Sequence, residues 1–97
     1  MDPYVVVEYR SKQKKTRVIR GGGKTPVWKE TLEFAVQNRA SDSIRFRCMD
    51  EDLFSDDIIG EATVQIQYLL KEEGFRLWIP VYYKEKKAGE IQLEARW

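Results

Sequence analysis

The 97-residue sequence predicts an all-β fold, an antiparallel sandwich of seven short strands. Apolar and polar residues alternate with period two in short runs, the pattern of strands that bury one face. Turn residues and charged stretches separate these runs, and almost no stretch has helical spacing. With 42% hydrophobic residues, a chain of this length forms one core, so residues 1–97 are predicted to be a single domain.

The predicted strands in chain order are Pro3–Tyr9, Thr16–Arg20, Thr31–Val36, Ser43–Met49, Ile58–Ile66, Phe75–Tyr82 and Glu90–Trp97. The first is β-branched and aromatic, and it begins with a proline, which a strand tolerates at its start. The second follows a basic turn, Arg10–Lys15, and ends at the glycine run Gly21–Gly23. That run lacks the spacing and the following helix of a phosphate-binding loop, so it is interpreted as a turn.

The later strands are predicted from their apolar faces. In the third, fourth and fifth strands the alternating apolar residues are Leu32, Phe34, Val36, Ile44, Phe46, Cys48, Ala62, Val64 and Ile66. The stretch Gln67–Glu73 predicts one or two helical turns closed by Gly74. Pro80 predicts an edge position or a β-bulge for the sixth strand, because proline cannot donate to a ladder. After the charged turn Lys84–Gly89 the last strand alternates strictly.

Several functions are disfavoured by composition. The single cysteine, Cys48, excludes an intramolecular disulfide and is expected to be a buried thiol in a reducing compartment. Trp28, Trp78 and Trp97 are expected to pack in the core. The sequence has no histidine and no nucleophile paired with a base in a recognisable context, so an enzyme is not expected. No signal peptide or transmembrane run is recognised, so any membrane contact is expected to be peripheral.

The net charge of +1 conceals a separation of charge along the chain. Between Arg10 and Lys24 there are seven basic residues and no acidic one. Between Asp50 and Glu61 there are six acidic residues and no basic one. Two sites for oppositely charged partners are therefore predicted.

The acidic stretch is a loop between two predicted strands. Asp50, Asp52, Asp56 and Asp57 lie within eight residues, and carboxylates so close repel one another unless a cation neutralises them. Oxygen ligands on a flexible loop suit calcium, which takes about six to eight of them. A helix–loop–helix calcium site is excluded, because a phenylalanine and a serine occupy its ligand and glycine positions. The alternative is a solvated acidic turn.

Leu53 and Phe54 lie at the tip of this loop. Apolar side chains beside calcium ligands can insert beneath lipid headgroups once the charge is neutralised, and each contributes about 1.5–3 kcal/mol if fully immersed. The alternative is that Phe54 folds back and packs on the sandwich.

The basic stretch is predicted to gather Lys12, Lys14, Lys15 and Arg17 on one surface. Each cation near an anionic leaflet contributes about 1 kcal/mol, screened by salt. The alternative is a solvated face, since edge strands often carry lysine. Nucleic acid is disfavoured, because the stretch has no recognition helix and Tyr9 alone makes no stacking platform.

Several motifs occur in the order seen in C2 domains, namely Asp2-Pro3-Tyr4-Val5, the basic strand pair, Thr25-Pro26-Val27-Trp28-Lys29-Glu30, the Asp50–Gly60 loop with Glu61, and Gly89-Glu90-Ile91. Over its whole length the sequence resembles this family, in the variety found in small plant elicitor-responsive proteins. The resemblance implies an eight-stranded Greek-key sandwich with phospholipase C-type strand order, whose loops at one end bind calcium and phospholipid. The family's first strand has no counterpart here, so seven of its eight strands are expected.

The resemblance also implies the metal ligands. The family's second aspartate of the first calcium loop falls on Asp2, and the pair that opens the third loop falls on Asp50 and Asp52. The last loop aspartate falls on Asp57. The loop is one residue shorter than the usual pattern, so Asp56 and Asp57 can exchange roles. The family has a further liganding aspartate upstream, and its absence here implies a weaker calcium affinity.

These implications predict a calcium-regulated module that binds anionic phospholipid, peripheral to the cytoplasmic side of the plasma membrane and connected to plant defence signalling. In the family the basic face meets phosphoinositides above all. The alternative is a calcium-independent module that holds a protein or a phosphoinositide. Since the first strand is missing, an exposed sheet edge is expected, and a second copy of the chain is the favoured partner for it.

Overall fold

The computed structural model describes residues 1–23, 25–69 and 74–96, with the backbone alone at 74–77 and 93–96. The elements are β1 (Pro3–Tyr9), β2 (Lys12–Lys15), β3 (Ser43–Asp50), β4 (Asp57–Gln65), α1 (Ile66–Leu69), β5 (Gly74–Tyr83) and β6 (Lys86–Arg96). In these residues the strands form one antiparallel sheet of six, in the order β2-β1-β3-β4-β5-β6. The predicted all-β antiparallel class is confirmed.

The sheet folds over between β4 and β5, where a single residue pair, Glu61 and Tyr82, joins the two strands. Inward side chains of β1 and β3 therefore pack against those of β5 and β6, which makes two layers around one core. The buried core residues are Val5, Val7, Tyr9, Ile44, Phe46, Ile66, Leu69, Ile79, Val81 and Ile91. Among them, Ile44, Phe46 and Ile66 lie at alternating positions that the sequence predicted to face inward.

The second strand lies earlier in the chain than predicted. A two-residue turn after Tyr9 starts β2 at Lys12, so the predicted basic turn forms the strand. The predicted strand Thr16–Arg20 is wrong. Pro3 lies opposite this segment on β1 and has no N–H to donate. Ile19 N donates to Pro3 O, and this bond is shifted by one residue from the register in which β1 and β2 pair. Thr16 N still donates to Val5 O at 2.9 Å in the register of β2, so the regular ladder ends just after Thr16.

The predicted strand Thr31–Val36 does not form either. Leu32 and Phe34 pack against the core as their alternation predicted, but Val36 is exposed. Among the described residues no neighbouring strand pairs with this segment. Periodicity predicts which side chains turn inward, whereas a strand also needs a partner for its backbone groups.

The acidic loop is shorter than predicted, because its first and last aspartates belong to strands. Asp50 ends β3 and Asp57 begins β4, and the two residues pair directly. A register shift between Cys48 and Met49 marks a bulge just before this point. The loop proper is therefore 51–56.

Cys48 is half-buried beside the core, and desolvation raises the pKa of its thiol. The inward position predicted for this cysteine is confirmed. Of the predicted helical turns, the structure contains α1, and the rest of that stretch, 70–73, lies outside the described residues, as does Trp97.

Three predictions for single residues have different outcomes. Pro80 pairs in regular register with Glu90 of β6, and a β-bulge lies nearby, at the register shift between Val81 and Tyr82. Trp28 packs against the core as predicted. Trp78, however, is 58% exposed, so its predicted burial is wrong. It precedes a buried residue on β5, and alternation turns it to the outer face.

Candidate cation and membrane site

One end of the sandwich collects acidic residues from three parts of the chain. Asp50 at the end of β3 pairs with Pro3 of β1 on one side and with Asp57 of β4 on the other. Asp2 immediately precedes Pro3. Because cross-strand partners share a face of the sheet, the side chains of Asp50 and Asp57 lie next to each other.

Backbone amides orient two of these carboxylates. Asp2 N donates to Asp50 Oδ1 at 2.8 Å, and Gly21 N donates to Asp2 Oδ1 at 2.8 Å. Glu51 N donates to Asp2 O at 3.0 Å, which ties the start of the loop to the N-terminus. An ionised carboxylate has about four acceptor positions, so both side chains retain capacity for a cation.

Sequence reasoning missed Arg20 at this site. Its Nη1 lies 2.5 Å from Glu51 Oε1 and 3.8 Å from Asp2 Oδ2, so a residue of the basic stretch partly neutralises the acidic end. The arginine is 71% exposed, and solvent screening makes such a pair a weak stabilising contact. The sequence feature that could have indicated this contact is the glycine run after Arg20. It turns the chain so that Gly23 N donates to Met1 O.

The loop is held by its own aspartates. Asp52 N donates to Asp56 Oδ1 at 3.3 Å, and Leu53 N donates to Asp52 Oδ1 at 2.6 Å. The Tyr4 hydroxyl donates to Asp56 Oδ2. Burial of Tyr4, together with this hydrogen bond, raises the pKa of Tyr4 to about 12. The same hydrogen bond lowers the pKa of Asp56 below its usual value.

The predicted metal ligands are therefore brought together in pairs. The Asp2 amide donates to the Asp50 carboxylate, Asp50 pairs with Asp57 across the strands, and the Asp52 amide donates to the Asp56 carboxylate. Across the described ranges, no three such side chains form a ready-made metal-binding group. Carboxylate oxygens are the donors that calcium prefers, so the residues fit this ion in chemistry.

The loop tip carries the most exposed apolar side chains of this region. Leu53 is 92% exposed and Phe54 is 95% exposed. The alternative that Phe54 packs on the sandwich is therefore wrong for this structure. No helix in the described part of the chain is long and apolar enough to cross a membrane.

The predicted basic residues lie on both faces of β2. Lys14 pairs with Val7, which faces the core, whereas Lys15 pairs with Val6 on the opposite face. Cross-strand partners share a face, so the two lysines point to opposite sides, and Lys12 lies on the side of Lys14. The expectation of one basic surface around β2 is therefore wrong.

Two of these cations also support the structure. Lys14 Nζ donates to Glu33 O and lies 5.1 Å from the ring centroid of Phe34. Arg17 Nη2 donates to Trp28 O at 2.6 Å. Both contacts hold the unpaired segment that carries Phe34 against the core. Lys15 instead lies 5.8 Å from the ring centroid of Tyr4, toward the acidic loop.

Known proteins share this sequence pattern. A sequence model of the family described as C2 domain matches residues 1–81. Elicitor-responsive protein 1 of Oryza sativa subsp. japonica is 43% identical over 74 residues, which are 72% of this chain and 46% of that protein. The chain thus spans less than half the length of that relative.

Solved structures share the fold. A C2 domain-containing protein superposes with a TM-score of 0.82 at 32% identity, over 97% of this chain and 70% of the other. A pair of C2 domains from Extended-Synaptotagmin 2, solved with calcium bound, superposes with a TM-score of 0.72 at 21% identity, over 94% of this chain and 34% of the other. At that identity the second match shows the fold alone.

Proposed function

Because the chain belongs to the C2 domain family, we propose that it is a calcium-regulated module that binds anionic phospholipid membranes and catalyses no reaction. One observation carries this proposal. The carboxylates of Asp2, Asp50 and Asp57 lie at the same end of the sandwich as the exposed side chains of Leu53 and Phe54.

In this proposal the carboxylates of Asp2, Asp50, Asp52 and Asp57 hold the ion. Calcium supplies positive charge that replaces the negative potential of the empty loop. Leu53 and Phe54 enter the headgroup region, since the neutralised loop no longer repels anionic lipid. The proposed location is the cytoplasmic face of the plasma membrane, where anionic lipid is concentrated.

A vesicle experiment tests this function. We expect the chain to sediment with phosphatidylserine-containing vesicles in millimolar calcium and to remain in solution with EDTA. Leu53→Ser with Phe54→Ser should weaken calcium-dependent binding at least tenfold, because burying each side chain contributes about 1.5–3 kcal/mol at full immersion. The melting temperature should not change, since both side chains are exposed.

Val36→Ser is the matched control, because Val36 is an exposed apolar residue far from the acidic loop. Its neighbour Gln37 donates to Tyr9, at the opposite end of β1 from the loop. An equal loss of binding in this control would contradict insertion of the loop tip. Equal sedimentation with calcium and with EDTA would support the alternative, a calcium-independent module. The exposed lysines of β2 favour that alternative. Against it, Arg45 and Arg47 of the outer face are already paired with Glu61 and Glu8.

We also propose that β6 pairs with a second copy of the chain. It is the last strand of the described sheet and is 11 residues long. A long edge strand presents unpaired backbone groups to other chains. The opposite edge, β2, has four residues, three of them lysines, a composition that discourages such pairing.

A dilution series measured by light scattering tests this association. We expect a dimer at micromolar concentration and a melting temperature that falls on dilution. Glu90→Lys with Gln92→Lys should shift the equilibrium to monomer, because two edges of excess positive charge repel each other in any register. Thr63→Lys with Gln65→Lys on the interior strand β4 is the control. A folded wild-type monomer at micromolar concentration would contradict the proposal.

A further inference from the structure

We infer that the Tyr4 hydroxyl is a latch for the acidic loop and that Asp56 serves this latch rather than the cation. The inference rests on the calcium-regulated function proposed above and names the residue that positions its site. It also separates the roles of Asp56 and Asp57, which the sequence leaves open.

Tyr4 is suited to this role because it belongs to the sheet and not to the loop. It belongs to β1, pairs with Met49 of β3 and is 7% exposed. Lys15 Nζ lies 5.8 Å from the ring centroid. A ring that is buried beside the neighbouring strand has few rotamers, so its hydroxyl is a well-positioned donor.

Asp56 joins this donor to the loop. Its Oδ2 accepts from the Tyr4 hydroxyl, and its Oδ1 accepts from Asp52 N at 3.3 Å. The two oxygens therefore connect the last residue of the loop with its second residue and with β1. Both oxygens of Asp56 are therefore bonded, whereas Asp50 accepts from the described residues through Oδ1 alone, and turning Asp56 toward a cation near Asp50 would break its contact with Tyr4.

Asp57 differs from Asp56 in its position and in its contacts. It begins β4 directly opposite Asp50, so it lies in the row of carboxylates that ends at Asp2. Among the described contacts its side chain has no hydrogen bond or ion pair. The geometry therefore assigns Asp57 to the cation and Asp56 to the latch.

The latch has a functional consequence. The loop 51–56 carries Asp52 and the exposed pair Leu53 and Phe54. A loop that is already ordered loses less conformational freedom when it binds an ion or a membrane, so the latch strengthens binding without contacting either. Loss of the latch should weaken calcium binding about three- to tenfold, the size of one hydrogen bond's net contribution.

Calorimetric calcium titration of the full chain and of five variants tests the inference. Tyr4→Phe and Asp56→Ala should each weaken calcium binding about three- to tenfold, and the double variant should be no weaker than either single one, because both remove the same contact. Asp57→Ala should abolish the binding. Tyr83→Phe, an exposed tyrosine on β5, is the control and should bind as the wild type does.

Amide hydrogen exchange without calcium separates this inference from the function on which it rests. The Asp52 amide should exchange faster in Tyr4→Phe than in the wild type, because its acceptor is no longer held. Unchanged exchange would overturn the latch whether or not the chain binds calcium. Loss of calcium binding in Asp56→Ala but not in Asp57→Ala, or additive losses in the double variant, would also overturn it. A wild-type chain that binds no calcium would refute the proposed function and the role of Asp57.

Discussion

Replacing Asp50 and Asp52 together by asparagine is expected to abolish the calcium-dependent rise in melting temperature. Sites of low affinity have Kd values of about 10⁻⁴–10⁻³ M, so about 10 mM calcium stabilises the wild-type chain by roughly 1.4–2.7 kcal/mol. For a domain of this size that corresponds to a rise of roughly 5–20 °C. Asparagine keeps the size of the side chain and an oxygen acceptor for Asp2 N, so the variant tests charge.

The same double variant should also lose calcium-dependent sedimentation with anionic vesicles. Without calcium it should be at least as stable as the wild type, because two like charges have been removed. Glu33→Gln with Glu85→Gln removes two negative charges outside the acidic loop and should retain the calcium response. If the Asp50 and Asp52 variant kept its full rise, the calcium site would have to lie elsewhere.

Much of the fold could be predicted because period-two alternation reports directly on burial. Ile44 and Phe46 in β3 face the core as expected. Alternation says nothing about which strand lies next to which. The segment Thr31–Val36 therefore has the side-chain pattern of a strand without the ladder.

The acidic residues of the candidate site could be predicted from the sequence, but the contacts that join them to other residues could not. The acidic loop was visible because its aspartates are close in sequence. The bond between Tyr4 and Asp56 joins residues 52 positions apart, and the approach of Arg20 to Asp2 depends on a turn in the glycine run. Contacts of this kind follow from strand register, which a single sequence does not specify.

The basic surface shows the same dependence on register. Four cations within six residues suggest one patch, but the pairing of Lys15 with Val6 places neighbouring lysines on opposite faces. In the predicted turn Lys12 and Lys14 could gather with Lys15 and Arg17, whereas in the observed strand adjacent side chains alternate between the two faces. A run of basic residues in a sequence therefore predicts local positive charge, but it does not predict that the side chains form one surface.

A polar network at the other end of β1 has the largest expected effect on stability. The Tyr9 hydroxyl donates to Asp42 Oδ2 and accepts from Gln37 N at 2.7 Å, and Tyr9 is 1% exposed. Arg10 Nε donates to Asp42 Oδ2 at 2.9 Å. Asp42 also connects to α1, because Ile66 N donates to its backbone carbonyl at 2.9 Å.

Tyr9→Phe is expected to lower the free energy of unfolding by about 1.5–3 kcal/mol at pH 7, since it removes a hydrogen bond to an ionised carboxylate inside the fold. That is a large share of the roughly 5–15 kcal/mol available to a domain of this size. Urea denaturation measures the difference. Tyr82→Phe, at a tyrosine that is 46% exposed, should change the free energy of unfolding by less than about 0.5 kcal/mol.

The cost of Tyr9→Phe should also depend on pH. Hydrogen bonds from Arg10 and Tyr9 hold the pKa of Asp42 below its usual value. A carboxyl whose pKa is lower in the folded state contributes stability above its unfolded pKa of about 3.9, and this contribution is lost as the pH falls through the folded value. The difference between wild type and Tyr9→Phe should therefore be constant near neutrality and shrink below about pH 4. A difference that stayed the same at pH 3 would mean that the Tyr9 hydroxyl stabilises the fold through the hydrogen bond that it accepts from Gln37 N and not through Asp42.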